Sequence, residues 1–314
     1  MGIEVNHIPV ALEQCIDLLT PAIKNKSKPV LIDATLGLAG HAKEFLKRFE
    51  NLQVIGIDRD SSALEIAKSN LIQYADRVTF IHSTYDQIQA GLDKAGLNLA
   101  DAILFDLGVS SMQLDQAERG FSYSQDAPID MRMDQSNPVS AATVLNTYSH
   151  GELAKVLQNY GEEKFASKIA ENIIKARQSG RLKSTKDLAE IVKESIPAPA
   201  RRTGGNPAKR TFQALRIEVN QELAVLEKAI PAALAIGGRL VVMSYQSLED
   251  RIVKSNFANL TKSNTPLGLP VELPNSAASY KLLISGSYSA DDAEQAINPR
   301  SQSMRLRAIE RVAA

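Results

Sequence analysis

Five short segments of the chain consist mainly of Val, Ile, Leu and Phe and lack regular alternation between apolar and polar residues. Such continuous apolar runs are typical of parallel strands that are buried on both faces. We therefore predict a buried parallel sheet, to which a further run, Ser279–Ser287, adds one or two edge strands. The five segments are Pro29–Leu36, Gln53–Asp58, Val78–His82, Asp101–Leu107 and Arg239–Tyr245.

Helical patterns lie between the first four predicted strands, for example at Gly40–Phe49 and Ser61–Tyr74. The second of these begins with a capping signal at Ser61 or Ser62, with Glu65 one turn later. Strands and helices that alternate along the chain predict an α/β fold, a doubly wound sheet with right-handed crossovers.

The interval between the fourth and fifth strands is much longer, at about 130 residues, and an unstructured loop of that length is implausible in a compact domain. Apolar residues recur there at the three- and four-residue spacing of amphipathic helices. We predict a helical domain over residues 113–212, inserted into a sheet domain formed by residues 1–112 and 213–314. The predicted helices are Ser149–Asn159, Glu162–Gln178, Thr185–Ser195 and Arg210–Ile230.

The composition is that of an ordinary globular protein, with 44% hydrophobic and 23% charged residues. Lys and Arg together number 36, as do Asp and Glu, so any nucleic-acid site must be a local basic patch. The single cysteine, Cys15, cannot form an internal disulfide, and no Cys/His cluster has the spacing of metal ligands. Without a secretory signal or an 18-residue apolar run, we expect a cytoplasmic protein with no metal and no membrane segment.

The first predicted strand runs into a glycine-containing turn, residues 33–41, which opens a helix. Turns of this kind are where nucleotide-like ligands approach the backbone, although many are purely structural. A carboxylate at Asp33 suits a cationic ammonium group better than a phosphate. Asp58, at the end of the second strand, is placed to accept the two hydroxyls of a ribose, and Tyr85, beyond the third strand, could cover an adenine face.

A further acidic strand end follows at Asp106. The pattern alone leaves open a class I methyltransferase and a dinucleotide-binding enzyme. Asp33 and the incomplete glycine pattern favour the methyltransferase.

Long motifs follow the fourth strand: Asp106–Asp115, Arg119–Ser122 and Asp130–Asp134. Here the chain closely resembles the bacterial 16S rRNA (cytosine-N4)-methyltransferase family, the small-subunit methyltransferases H. The resemblance covers almost the whole chain, in the order that the family shows. Its other motifs are His7–Val10, Tyr160–Ala166, Arg210–Leu223, Ser247–Lys254 and Asn298–Ser301.

The resemblance implies a class I (Rossmann-like) methyltransferase sheet with a helical insertion. It also implies S-adenosyl-L-methionine as methyl donor and, as acceptor, the N4 amine of a cytidine in the decoding region of 16S rRNA in the small ribosomal subunit. By motif position, the implied donor contacts are Ala39, Gly40, His41, Asp58, Tyr85, Asp106 and Gln113.

The chain also departs from the family pattern. We expect Ala39 to be tolerated if its φ is negative, because only positive φ demands glycine. Gln246 excludes any mechanism that needs an imidazole at that position. The departures are Ala39 for glycine, Met112 for proline, Tyr85 for phenylalanine, Asn206 for histidine and Tyr245-Gln246 for Phe-His.

For catalysis we hypothesise that Asp106 or nearby backbone carbonyls accept the N–H groups of the target amine. A purely donor-positioning role for Asp106 is the alternative. Ser110-Ser111 is expected to be a turn and helix cap rather than a nucleophile. Phe121 and Tyr123 could stack on a flipped base, or could simply belong to the core.

A basic patch for RNA is expected around a loop rich in glycine and proline. A second basic group near the C-terminus is equally compatible with solvated helix faces. The first group is Arg201, Arg202, Lys209, Arg210 and Arg216; the second is Arg300, Arg305, Arg307 and Arg311.

Two other functions remain open from the sequence. One is a catalytically weak RNA-binding factor for ribosome assembly, and the other is an amino-methyltransferase that acts on DNA. A dinucleotide dehydrogenase is disfavoured by the imperfect glycine pattern.

Overall fold

The computed structural model describes residues 9–201, 205–229, 233–263 and 276–313. The chain forms two compact units. The first, the sheet unit, comprises Met1–Gly108 and Leu223–Ala314, and the second, the helical unit, is Val109–Glu222.

Within the described residues, the sheet unit holds seven strands in the order β3-β2-β1-β4-β5-β7-β6. Strands β1 to β5 are parallel, and β7 is antiparallel to both of its neighbours. The predicted doubly wound α/β fold is confirmed. The strands are β1 Val30–Asp33, β2 Gln53–Asp58, β3 Val78–His82, β4 Ala100–Asp106, β5 Leu234–Ser244, β6 Tyr280–Leu282 and β7 Arg305–Arg311.

Strand β7 was not predicted. It contains Arg305, Arg307 and Arg311, so these three residues do not lie on helix faces, which was one of the two interpretations left open. The segment Arg305–Arg311 mixes charged with apolar residues, so a search for continuous apolar runs passes over it. The Arg307 guanidinium donates to both carboxylate oxygens of Asp250, at 2.8 and 3.0 Å, and both side chains are largely buried. This arginine therefore stabilises the sheet unit.

Helices occupy both units. Those in the sheet unit flank the sheet, and most of the others build the helical unit. They are α1 Leu12–Ile23, α2 Gly40–Arg48, α3 Ser61–Asn70, α4 Ile88–Lys94, α5 Ser111–Asp115, α6 Ala141–Thr147, α7 His150–Gly161, α8 Ala166–Gln178, α9 Thr185–Ser195, α10 Ala198–Arg201, α11 Lys209–Asn220, α12 Glu222–Ala229, α13 Ser247–Leu260 and α14 Asp292–Ile297.

Several helix ends differ from the predictions because of single residues. The cap of α3 is Asp60, whose carboxylate accepts from the backbone N–H groups of Ser62 and Ala63, rather than Ser61 or Ser62. The helix predicted for Arg210–Ile230 is interrupted at Gln221, and the helix predicted to begin at Glu162 begins at Ala166 instead. Gln221 and Glu162 adopt φ values of 51° and 47°. A left-handed residue cannot continue a right-handed helix, so the chain turns at both positions.

The sheet is buried on both faces, as its continuous apolar strands predicted. Leu31 of β1 belongs to one core cluster, whereas its neighbours Val30 and Ile32 belong to the other. Phe45 fills the first cluster and Phe105 the second, each with at most 1% of its surface exposed. Two filled faces hold the strand ends in fixed positions.

The helical unit has its own core, to which α7, α8, α9 and α11 contribute. Helix α11 approaches α7 closely at Gly161, where an added Cβ would lie 2.7 Å from the carbonyl oxygen of Arg210. This packing places all of α11 in the helical unit, whereas the sequence expectation ended the insertion at residue 212. Among the helices that the structure describes, none is long and apolar enough to cross a membrane.

Gly56 in β2 supports the turn that follows β1, and its substitution tests that packing. A Cβ at this position would lie 2.6 Å from Cδ2 of Leu36, itself almost fully buried. We expect Gly56→Ala to lower the free energy of unfolding by about 1–3 kcal/mol, measured by urea denaturation.

Gly151→Ala in α7 is the matched control, because no heavy atom lies within 4 Å of the added Cβ. This change should leave stability unchanged or raise it by up to about 1 kcal/mol. Equal stability of Gly56→Ala and the wild-type protein would show that the turn does not pack tightly on β2.

Candidate ligand site at the carboxyl edge of the sheet

Three acidic residues end adjacent strands of the sheet unit. Asp58 ends β2, Asp33 ends β1 and Asp106 ends β4, and these strands are neighbours in the order β2-β1-β4. The carboxyl ends of parallel strands meet at one edge of a sheet, which is where open α/β sheets bind ligands. The structure thus brings together three carboxyl groups that the sequence singled out.

The turn after β1 is anchored to β2 by hydrogen bonds. The backbone N–H of Leu36 donates to the carbonyl of Ile57 at 2.9 Å. The N–H of Gly37 donates to the Asp58 carboxylate at 2.7 Å, and Gly37 has a φ of 53°. The Asp58 side chain therefore holds the turn, while its oxygens retain lone pairs for further donors.

Ala39 ends this turn in the left-handed region, with φ 67° and ψ 28°. The condition under which Ala39 was expected to be tolerated, a negative φ, is therefore not met. A left-handed residue with a Cβ costs about 1–2 kcal/mol, and such strain persists only where the surroundings impose it. Here the N–H of Ala39 donates to the carbonyl of Leu36 at 2.7 Å, and a Cβ on the next residue, Gly40, would lie 2.7 Å from Cγ of Pro9.

Asp33 is almost fully buried and Asp58 is half-buried. Burial raises the pKa of Asp33 to about 7, although a backbone hydrogen bond from Thr35 opposes the shift. Burial also raises the pKa of Asp58 to about 6, against hydrogen bonds from the N–H groups of Asp60 and Gly37. A ligand that offers a cation or hydroxyl donors would stabilise the ionised carboxylates.

Asp106 is held from several sides. Its backbone N–H donates to the Thr35 hydroxyl at 2.6 Å. One carboxylate oxygen, Oδ1, accepts from the hydroxyl of Tyr245 at 2.7 Å. The other, Oδ2, lies 3.9 Å from Nδ1 of His41, whose Nε2 is 3.0 Å from the carbonyl of Val10. Tyr245 was singled out in the sequence only as a departure from the family, so its contact with Asp106 is new.

Tyr85 lies in a short 3₁₀ turn after β3 and packs edge-to-face on Phe105, with ring centroids 5.5 Å apart. Gln113, the remaining predicted contact, lies in the helical unit. There its backbone N–H donates to the hydroxyl of Ser110, and its amide oxygen accepts from the Ser110 N–H. Ser110 is thus the cap of α5, as expected.

Gln246 occupies the position at which the family pattern has a histidine. The side-chain nitrogen and oxygen of Gln246 are buried and have no hydrogen-bond partner among the described residues. Gln246 precedes α13, where its backbone N–H donates to the Glu249 carboxylate at 3.3 Å. No group of three His, Cys, Asp or Glu residues in the described ranges is arranged to hold a metal ion.

The basic residues of the helical unit differ in their surroundings. Arg210 donates to the carbonyl of Glu162 at 2.9 Å, and Lys209 is exposed. Arg216 makes a bidentate pair with Glu222, with both N–O distances at 2.9 Å. Arg201 ends α10 and has a buried Nε with no hydrogen-bond partner among the described residues.

Arg202 lies outside the described residues. A shallow cleft of about 220 Å³ in this unit contains two lysines of α9, Lys186 and Lys193, beside Asn206 and Pro207. These lysines are seven residues apart on one helix face, a spacing that could have identified them in the sequence.

The two aromatic residues considered for base stacking pack in the helical unit. Phe121 is 7% exposed within its core cluster. Tyr123 is half-buried and lies edge-to-face on Phe212, with ring centroids 5.7 Å apart. Their packing matches the core alternative.

Comparison with known proteins gives a consistent result. The model of the MraW methylase family matches residues 4–312. The ribosomal RNA small subunit methyltransferase H of Mycolicibacterium paratuberculosis is 54% identical in an alignment of 321 positions, which covers 99% of this chain and 83% of the relative. The protein of the same name from Nocardia farcinica is 54% identical over 314 residues, covering 98% and 97%.

A solved rRNA methylase from Streptococcus thermophilus aligns over 98% of this chain and 99% of its own, with 12% identity and a TM-score of 0.40. That structural likeness is too slight to bear on the site. The family match rests on the sequence comparisons.

The raised pKa of Asp33 predicts how stability depends on pH. Because this pKa is higher in the folded than in the unfolded chain, its contribution to stability is full below about pH 4 and is lost as the pH rises through about 7. Asp33→Asn removes the ionisation. The free energy of unfolding of the variant, relative to that of wild type, should therefore be higher at pH 8 than at pH 5 by on the order of 2 kcal/mol.

Urea unfolding of both proteins at the two pH values, without ligand, measures this difference. Asp76→Asn, at an exposed aspartate, is the control for removing a carboxylate. An equal stability difference for Asp33→Asn at pH 5 and pH 8 would contradict the proposed desolvation.

Proposed function

Because this chain belongs to the MraW methylase family, we propose that it methylates the N4 amine of a cytidine in 16S rRNA. The donor is S-adenosylmethionine, the target lies in the decoding region of the small ribosomal subunit, and the reaction takes place in the cytoplasm. Relatives of this chain are named for methylation of small-subunit ribosomal RNA. The observation that carries the proposal is the convergence of Asp33, Asp58 and Asp106 beside the turn that opens α2.

The chemistry of these side chains fits the donor, which carries an ammonium group, a sulfonium and a ribose with two hydroxyls. Asp33 supplies a carboxylate for the ammonium, and Asp58 supplies acceptors for the ribose hydroxyls. Both carboxyl groups are desolvated, so a cationic, hydroxyl-bearing ligand offsets their cost. The proposed donor-binding residues are Ala39, Gly40, His41, Asp58, Tyr85 and Asp106, with Gln113 of the helical unit as a further predicted contact.

The proposed catalytic step needs little more than orientation and a hydrogen-bond acceptor. The lone pair of the cytosine amine is delocalised into the ring, so the amine is a poor nucleophile. A carboxylate that accepts one of its N–H groups favours the geometry in which the lone pair is localised. Asp106 is proposed in this role because Thr35 and Tyr245 fix it at the strand end. When bound, S-adenosylmethionine would supply the methyl group: the amine nitrogen would bond to the methyl carbon as the carbon–sulfur bond breaks, and the sulfonium would become a neutral thioether. The proton that the methylated amine then loses would pass to solvent, directly or through Asp106.

The RNA is proposed to bind the basic surface of the helical unit. Arg201, Lys209 and Arg210 form its centre, and the sequence adds Arg202. The cleft adds Lys186 and Lys193 of α9 as further candidate phosphate contacts, with the acidic Glu190 between them. Cations on one surface neutralise successive phosphates. Arg216 belongs to the predicted set as well, although it must release Glu222 to contact a phosphate.

The direct test is a methylation assay with labelled S-adenosylmethionine. Small ribosomal subunits that lack the modification should gain N4-methylcytidine, identified by nucleoside mass spectrometry. Asp58→Ala should weaken donor binding at least tenfold by calorimetry, since two acceptors are lost. Asp93→Asn, at an exposed residue of α4, should not.

Other outcomes of this assay identify other functions. Donor binding without methylation of any RNA would indicate an assembly factor. Label in DNA but not in ribosomal subunits would indicate a DNA amino-methyltransferase.

Charge reversal tests the proposed RNA surface. Arg201→Glu combined with Lys209→Glu should weaken RNA binding, because two phosphate contacts are lost. The slope of log affinity against log salt should fall by roughly 1.4 on single-stranded RNA. Donor affinity should stay unchanged.

The control is Lys155→Glu combined with Lys168→Glu, two exposed lysines of α7 and α8 in the same unit. An equal loss in this control would show that only net charge matters. A parallel loss of donor binding in the Arg201/Lys209 variant would indicate misfolding and remove the support for this surface.

A further inference from the structure

Tyr245 lies one residue beyond the end of β5, beside the end of β4. The register pairs Asp106 with Met243, and the N–H of Leu107 donates to the carbonyl of Met243 at 3.0 Å. This pairing brings the tyrosine hydroxyl to 2.7 Å from Oδ1 of Asp106. The contact is therefore set by the strand pairing at the centre of the sheet.

Other contacts of Tyr245 fix this residue in place. Its backbone N–H donates to the carboxylate of Glu249 at 3.0 Å, and Glu249 is only 2% exposed. The ring packs against the core cluster that includes Leu31 and Phe45. Its Cδ2 lies 3.6 Å from the position of a Cβ on Gly108, so the ring also covers the second residue after β4.

The hydroxyl of Tyr245 acts as a hydrogen-bond donor over the whole physiological range of pH. Burial, reinforced by the neighbouring Asp106 carboxylate, raises the pKa of Tyr245 well above its ordinary value. A phenol in this state donates a hydrogen bond to the carboxylate but does not transfer its proton to it. Its effect on Asp106 is therefore one of geometry.

A hydrogen bond to one carboxylate oxygen restricts rotation of the whole carboxylate. With Oδ1 tied to Tyr245, the direction of Oδ2 is determined, and this oxygen lies on the side of His41. The Asp106 side chain keeps 28% of its surface exposed, so it is open to a ligand. Preorganised acceptors of this kind need no reorganisation during the reaction.

We infer that Tyr245 is a positioning residue, which orients the Asp106 carboxylate toward the amine of the methyl acceptor through the 2.7 Å hydrogen bond. This inference deepens the proposed function and rests on it. It predicts a change in the catalysed step, because the hydroxyl touches Asp106 and acts on the substrate only through that residue.

Tyr245→Phe removes the hydroxyl and keeps the ring. We expect kcat to fall roughly tenfold, the effect of losing one charge-assisted hydrogen bond in the transition state. The KM for the RNA should stay within about twofold. Tyr288→Phe is the matched control, since Tyr288 packs against the same core cluster, and it should keep normal kcat and KM. Urea unfolding of both variants shows whether each is folded.

A double-mutant cycle with Asp106→Asn isolates the coupling. Turnover is measured with excess enzyme, so that slow variants give a rate. If Tyr245 acts through Asp106, Tyr245→Phe should change the rate less than twofold in the Asp106→Asn background. Additive losses would overturn the inference, as would wild-type kcat for folded Tyr245→Phe.

The cycle also separates this inference from the proposed function. Normal turnover of Asp106→Asn would remove the catalytic role of Asp106 and, with it, the positioning role of Tyr245. A large loss in Asp106→Asn without any loss in Tyr245→Phe would leave the role of Asp106 intact and overturn only the present inference.

Discussion

Desolvation of carboxyl groups at one edge of the sheet is the constraint from which the site follows. Parallel pairing of β2, β1 and β4 sets Asp58, Asp33 and Asp106 side by side, and the filled core beneath them excludes water. Solvation by water therefore does not offset the free-energy cost of ionising Asp33 and Asp58. A cationic ligand with hydroxyl groups supplies what water cannot, so the burial that raises these pKa values also favours the proposed donor.

The turn after β1 depends on the same carboxyl groups. Asp58 binds the N–H of Gly37 with one oxygen and that of Asp60 with the other. The same carboxylate thus shapes the turn and is the proposed acceptor for the ribose hydroxyls. Ala39 holds a left-handed conformation within this frame, where glycine would be unstrained. Strain at this position is compensated by the neighbouring hydrogen bonds, which makes the turn a rigid part of the site.

Sequence patterns predicted those parts of the fold that depend on local composition. Continuous apolar runs identified β1 to β5 because both faces of these strands are covered. Strand β7 mixes charged with apolar residues and lies between β5 and the edge strand β6, so the same criterion missed it. The acidic strand ends were visible in sequence, whereas the hydrogen bond from Tyr245 to Asp106 was not. That contact depends on β5 lying beside β4, although more than 130 residues separate the two side chains.

Basic residues show why composition could not define the proposed RNA surface. The chain has equal numbers of basic and acidic residues, and several arginines serve the fold. Arg307 pairs with Asp250, Arg216 with Glu222, and Arg119 donates to backbone carbonyls within the helical unit. A guanidinium that already has such partners must lose them before it binds a phosphate, which cancels much of the gain. Exposed cations beside an open cleft therefore carry more of the expected RNA affinity than the count of arginines suggests.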